Sequence, residues 1–161
     1  MTSASKHPEA YKAVDYKVLK VTSMAFADNS LIPSQYTCDG EDINPSLHIE
    51  GIPEHARSLA IIVDDPDAPA GTWTHWVIWN IPVTHQIKEN DVPGVQGRND
   101  FRKKRYNGPC PPSGQHRYFY KVYALDAVLE LAESADKHDL EKAMSDHIIA
   151  FGELVGLYSR K

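Results

Sequence analysis

Apolar and polar positions along this chain follow strand-like patterns in several short runs and a helical pattern near the end. Ser46-Leu47-His48-Ile49-Glu50 alternates, begins after Asn44-Pro45 and stops at Gly51. Ser58 to Val63 is almost wholly apolar, as expected of a strand covered on both faces. Trp73 to Asn80 is rich in aromatic and β-branched residues and stops before Pro82, and Tyr118 to Leu125 is the clearest strand of all. Tyr16 to Val21 is a further candidate at the start. In the tail, Leu140, Ala143, Met144, His147, Ile148 and Phe151 recur at three- and four-residue spacing, which predicts an amphipathic helix. Asp136 or Asp139 would cap it, and Gly152 and Gly156 would end or loosen it. A shorter helix is expected over Ala127 to Ala135.

Strands come first and helices late, with no regular βαβ alternation. That order predicts a mainly β fold, an antiparallel core with helices at its edge or end. The 161 residues suit one domain. Residues 1–15 read as a flexible N-terminal arm and residues 16–161 as the domain.

Strand alternation also says which side chains share a face. From His116 onward, His116, Tyr118, Tyr120 and Val122 fall on one side and Arg117, Phe119, Lys121 and Tyr123 on the other. In the earlier strand, Trp73, His75, Val77 and Trp79 share a face, so His75 is expected between two indoles. Asp65 and Asp67 end the preceding apolar run, and a carboxylate there is expected to reach His75. Tyr120 reads as sheet packing, and Arg117 as the partner of an acid. His48, His55, His85 and His138 read as surface residues, and His147 as packing.

Composition narrows the function. A net charge of -5, from 17 basic and 22 acidic residues, argues against a general nucleic-acid binder. The short basic run Arg102-Lys103-Lys104-Arg105 reads as a solvated turn or an anion-attracting rim. No apolar run approaches the roughly 20 residues of a membrane span. No apolar signal segment is visible near the start, so the expected location is cytoplasmic. In a reducing cytosol Cys38 and Cys110 default to two thiols. Their Gly/Pro-flanked loops leave a bridge geometrically conceivable.

The candidate chemistry gathers at strand ends. Asp64-Asp65-Pro66-Asp67-Ala68-Pro69 and Gly108-Pro109-Cys110-Pro111-Pro112 are rigid loop sequences, because proline fixes φ and donates no N–H. His75 follows the first and His116-Arg117-Tyr118 the second. Imidazole N–H groups and a phenol are hydrogen-bond donors suited to an oxyanion such as phosphate. The same acid and histidines also suit acid–base or metal chemistry, so a small hydrolase or phosphoesterase is the competing reading. No GxSxG, HExxH or P-loop sequence completes such a site, and Cys110 is the only obvious nucleophile.

Asp65-Pro66-Asp67-Ala68-Pro69 followed by His75-Trp76, and Gly108 to Pro112 followed by His116-Arg117-Tyr118, resemble the two signatures of the phosphatidylethanolamine-binding protein family, also called Raf kinase inhibitor proteins. The similarity is to the bacterial and archaeal branch. It extends through Tyr36-Thr37-Cys38-Asp39-Gly40, Asn80-Ile81-Pro82, Tyr123-Ala124-Leu125-Asp126 and Leu154-Val155-Gly156-Leu157-Tyr158, from about Phe26 to the C-terminus. Asn44-Pro45 stands where that branch commonly has Ser-Pro, and an N-terminal extension precedes the matched part.

The resemblance implies a large antiparallel sheet packed on a smaller one, with C-terminal helices. It implies a small anion pocket lined by Asp65, His75, Pro112, His116 and Tyr118, with Asp67, Gly108, Pro111 and Arg117 supporting the loops. The implied ligand is a phosphate-containing small molecule, such as a phosphorylethanolamine headgroup, or a phosphorylated protein segment. No cofactor or metal is implied. Regulation of a kinase or protease is a further implication by family analogy alone, and a homodimer is a further expectation.

Overall fold

The structure is a computed structural model that describes residues 17–160. The expected arm over 1–15 and Tyr16, the first residue of the first expected strand, lie outside the described residues. Ten strands and one α-helix follow in chain order: β1 Lys17–Val18, β2 Lys20–Thr22, β3 Ser30–Leu31, β4 Leu47–Glu50, β5 Ser58–Asp65, β6 Trp73–Ile81, β7 Gln86–Ile87, β8 Val95–Gln96, β9 His116–Leu125, α1 Lys137–Met144 and β10 Ile148–Tyr158.

The large sheet has the order β1-β10-β9-β5-β6-β8, with β3 also alongside β10. Its long strands are antiparallel, whereas the short β1 and β3 run parallel to β10. The small sheet is β2-β4-β7. The unbroken apolar run in β5 is explained by its two covered faces. Leu59, Ile61 and Val63 join a core with Val21, Leu47 and Ile49 of the small sheet. Ala60 and Ile62 join a second core with Leu140 and Met144 of α1. Burying one such Leu or Ile side chain is worth roughly 1.5–3 kcal/mol.

The tail departs from expectation. Asp136 caps α1 through a reciprocal capping box with Asp139, but the helix ends at Met144. His147 to Phe151, expected to continue it, leads into β10 instead. Gly152 and Gly156 do not end a helix. They sit inside β10, where a Cβ would collide with the Leu19 carbonyl or with Ile32 and Phe26. The helical spacing of Ile148 and Phe151 is outweighed by pairing with β9 along the whole strand. Ala127 to Ala135 forms no helix. Asn80 pins Leu129 there, donating from Nδ2 to its carbonyl at 2.9 Å and accepting from its N–H at 2.8 Å.

Candidate functional site

Asp64 and Asp65 are consecutive at the end of β5, so they face opposite sides of the large sheet. Asp65 falls on the small-sheet side, together with His116 and Tyr118 at the start of the neighbouring β9. His75 joins them through a bulge. Val63 pairs with Trp76 and Asp64 with Thr74, which leaves His75 as the extra residue of β6. Strict alternation would have put His75 with Val77 and Trp79. The bulge instead brings its ring edge-on to Tyr118, with centroids 5.4 Å apart, and to Phe101 at 5.2 Å. The expected sandwich between Trp73 and Trp79 is therefore replaced by Tyr118 and Phe101.

The expected carboxylate contact is also reassigned. Asp65 Oδ2 accepts from His116 Nδ1–H at 2.6 Å, and Asp65 Oδ1 accepts from the Asp67 amide at 2.7 Å. His75 Nδ1–H donates to the Asn107 carbonyl at 2.7 Å, so Asp65 acts on His75 only through its charge. Burial holds the His75 pKa below the ordinary histidine value, outweighing the opposing pull of that carbonyl, of Asp65 and of the Gly108 backbone. The two rings thus differ: one is braced by a carboxylate, the other by a carbonyl.

His75 and His116 are only 3% and 7% exposed. Neither Nε2 makes a hydrogen bond within the described residues, and neither is among the sealed, unpartnered polar atoms, so both reach the surface of the cluster. The Tyr118 hydroxyl is sealed and forms no hydrogen bond of full geometry. Burial, then the nearby Asp65 charge, pushes its acidity well below that of an ordinary phenol.

The loops are fixed from outside. Arg117 clasps Asp67 with Nη2 on Oδ1 at 2.8 Å and Nε on Oδ2 at 2.9 Å, and its amide also donates to Oδ2. That pair holds the Asp67 carboxyl below its usual range and ties the loop after β5 to the start of β9. The Gly108 amide donates to Asp42 Oδ1 at 2.7 Å, and a Cβ at Gly108 would strike the Tyr36 carbonyl. Cys110 is bonded to Cys38, with the Cys38 amide donating to the Pro109 carbonyl. The default of two thiols is thereby corrected, and Cys110 is removed as a nucleophile. Pro111 is buried, whereas Pro112 is exposed. Pro112 borders a cleft of about 1060 Å³ shared with Leu31, Pro33, Tyr158 and Arg160. Tyr158 is the cross-strand partner of His116, so this cleft abuts the cluster.

Sequence reasoning missed Asn99, Phe101, Asn107 and Asp42. Asn99 Nδ2 approaches the His75 carbonyl, the Arg105 carbonyl and Asn107 Oδ1, while its Oδ1 accepts from the Phe101 and Lys103 amides. An Asn followed by Asp in a polar loop is a turn signal, but nothing in it announces a histidine positioned 24 residues away. Tyr120 hydrogen-bonds Tyr106 in the core, in keeping with a packing role. His147 departs from its expected packing role: it is half-exposed and pairs with Asp126 at 2.8 Å. Among the described residues, no three His, Cys, Asp or Glu side chains converge as a metal site. Nor is any helix long and apolar enough to cross a membrane.

The family model for phosphatidylethanolamine-binding proteins matches residues 22–159. A UPF0098 protein of Pyrococcus abyssi is 54% identical, over 90% of this chain and 87% of that protein. A crystal structure of a phosphatidylethanolamine-binding protein homolog from Chlamydia trachomatis superposes with a TM-score of 0.86 at 39% identity, covering 90% of this chain and 99% of that one. The structure of E. coli YbcL, described as a member of the mammalian family, gives a TM-score of 0.82 at 30% identity over 89% and 99% of the two chains. By sequence and by fold, this chain belongs to the phosphatidylethanolamine-binding protein family.

Proposed function

We propose that the Asp65–His116, His75 and Tyr118 cluster binds a phosphate or phosphorylated headgroup-type anion, and that the protein is a recognition module rather than an enzyme. The observation that supports this best is the pair of imidazole Nε2 atoms at the surface of the cluster, each ring fixed through its Nδ1. Asp65 is a counter-ion already in place when His116 carries a proton beside a bound anion. Proline-walled loops and the Arg117–Asp67 clasp hold the groups in position before ligand arrives, which limits the ordering cost of binding. The cleft beside Pro112 has room for the organic part of such a ligand. The hydrolase reading gains nothing from Cys110, whose sulfur is in a disulfide. A phosphorylated protein segment and a regulatory role remain parts of the same proposal, since both would use the same anion site.

Calorimetry with inorganic phosphate and phosphorylethanolamine tests this, using the wild type and His116→Ala with and without chelator. Saturable binding that is lost in the variant and indifferent to chelator is expected. Binding that needs a divalent metal, or turnover of a phosphate ester, would replace the recognition module with the phosphoesterase reading.

A further inference from the structure

Asn107-Gly108 is the only Asn-Gly pair in the chain, and the peptide group that joins the two is held at both ends by ionisable side chains. Its carbonyl accepts from His75 Nδ1–H and its N–H donates to Asp42 Oδ1, each at 2.7 Å. A hydrogen bond to the carbonyl draws electron density from the nitrogen, and a carboxylate on the N–H is positioned to take the proton. A third bond reaches the side chain of the same residue. Asn99 Nδ2 donates to Asn107 Oδ1 at 2.8 Å, which polarises that amide toward attack at Cγ and supports an oxyanion there.

These groups are fixed from behind. Asn99 is buried, and its Oδ1 accepts from the Phe101 and Lys103 amides. Asp42 adopts a φ of 61°, a backbone that Asp and Asn take up more readily than most residues. Its amide donates to the Gln35 carbonyl at 3.0 Å, and Arg105 Nη2 approaches its other carboxylate oxygen at 4.0 Å, which leaves Oδ1 to Gly108. Position 108 accepts no side chain, because a Cβ there would strike the Tyr36 carbonyl. The nitrogen beside Asn107 is therefore unshielded. Asn107 itself is half-buried, so water reaches it.

We propose that Asn107 and Gly108 form a self-modification site, at which the folded protein closes a succinimide and converts Asn107 to aspartate or isoaspartate. Asp42 takes the Gly108 amide proton, the nitrogen bonds to Asn107 Cγ, and the Cγ–Nδ2 bond breaks. The proton returns from Asp42 to Nδ2, which leaves as ammonia. Water then adds to one carbonyl of the ring and breaks that carbon's bond to the Gly108 nitrogen, which regains a hydrogen. Addition at Cγ gives aspartate, and addition at the main-chain carbon gives isoaspartate. Water is the only co-reactant, and nothing is oxidised or reduced.

The ring leaves the Gly108 nitrogen without a hydrogen, so the tie from this loop to Asp42 is lost. Isoaspartate lengthens the main chain at the carbonyl that holds His75. Either product changes the support of the strand-end cluster, whatever ligand that cluster takes, so the proposal stands apart from the anion reading.

The experiment is peptide mass spectrometry on the full chain, incubated near neutral pH both folded and unfolded in guanidinium chloride. In the folded chain Asn107 is expected to lose one ammonia and then gain one water, about tenfold or more faster than in the unfolded chain, because only the fold brings Asp42 and Asn99 to it. Asp42→Asn keeps an acceptor for the Gly108 N–H and a residue suited to positive φ, but removes the base. The rate in that folded variant is expected to fall about tenfold or more. An Asn107 that stays intact in the folded chain, or that reacts no faster there than in the unfolded chain, would overturn the proposal. An unchanged rate in folded Asp42→Asn would overturn the role given to Asp42. If that variant does not fold, the comparison of folded and unfolded wild type decides alone.

Discussion

Asp64 and Asp65 are neighbours in sequence, both are buried, and they do opposite things. Asp64 points to the α1 side of the sheet, where a single oxygen accepts from Lys121 Nζ at 3.1 Å and Lys137 Nζ at 2.9 Å. Its partners are two lysine ammonium groups from different elements, so the cluster is an electrostatic tie between β5, β9 and α1. Asp65 points to the small-sheet side and holds a titratable ring whose second nitrogen is open. The same side chain thus ties elements together on one face and braces the proposed anion site on the other. What separates the two is the partner, a pair of ammonium groups on one face and an imidazole fixed through its Nδ1 on the other.

The comparison is broken most severely by Asp64→Ala. Removing the shared carboxylate leaves two lysines unpaired, one of them nearly buried, and a loss of about 3 kcal/mol or more is expected. Urea unfolding reads it, and phosphate affinity in the folded fraction should stay at the wild-type value. Next in size is the disulfide, which spans 72 residues between Cys38 and Cys110. Reduction, or Cys38→Ser with Cys110→Ser, should cost about 2–4 kcal/mol in the same measurement. Anion binding should weaken as the wall carrying Pro112 loosens.

Asp65→Asn sharpens the contrast, because its main effect should be on ligand rather than on folding. We expect about 1–2 kcal/mol of lost stability from the weakened hydrogen bonds. Phosphate affinity should fall about tenfold or more, as expected when a charged hydrogen-bond partner is lost. An Asp65 variant that binds phosphate normally would erase the distinction between the two faces.

The smallest effect is the pH dependence that His75 imposes. Its folded pKa lies below the ordinary value of 6.5, so the unfolded chain binds the proton more readily. The stabilisation is complete above that ordinary value and is lost progressively as pH falls below it toward the folded pKa. Urea titrations across this range should show stability declining with acid, and His75→Gln should remove that component.

Much of this architecture was legible in the chain. β5, β6 and β9 follow their apolar and aromatic runs closely, because each is covered on both faces or packed on a sheet. The two proline loops and His116-Arg117-Tyr118 also land at strand ends, and Arg117 takes an acid partner. The helix start at Asp136 was legible, but the tail beyond Met144 was not. Ile148 and Phe151 fit a helical stripe as well as a strand, and only pairing with β9 decides between them. His75 was placed on the wrong face because a single-residue bulge reverses alternation, and no residue type around it signals the bulge. Asn99 and Asp42 act through long-range hydrogen bonds that no local pattern records. The bridge depends on two loops meeting across the fold, which spacing alone does not tell.

The most direct test of the central claim is an NMR titration of the full chain with inorganic phosphate near neutral pH, following the His75 and His116 rings and the Lys121 and Lys137 ammonium groups together. Saturable shifts of both imidazoles, with the two lysines unmoved, are the expected result. Shifts at the lysines with silent histidines, or no shift in either group, would contradict it.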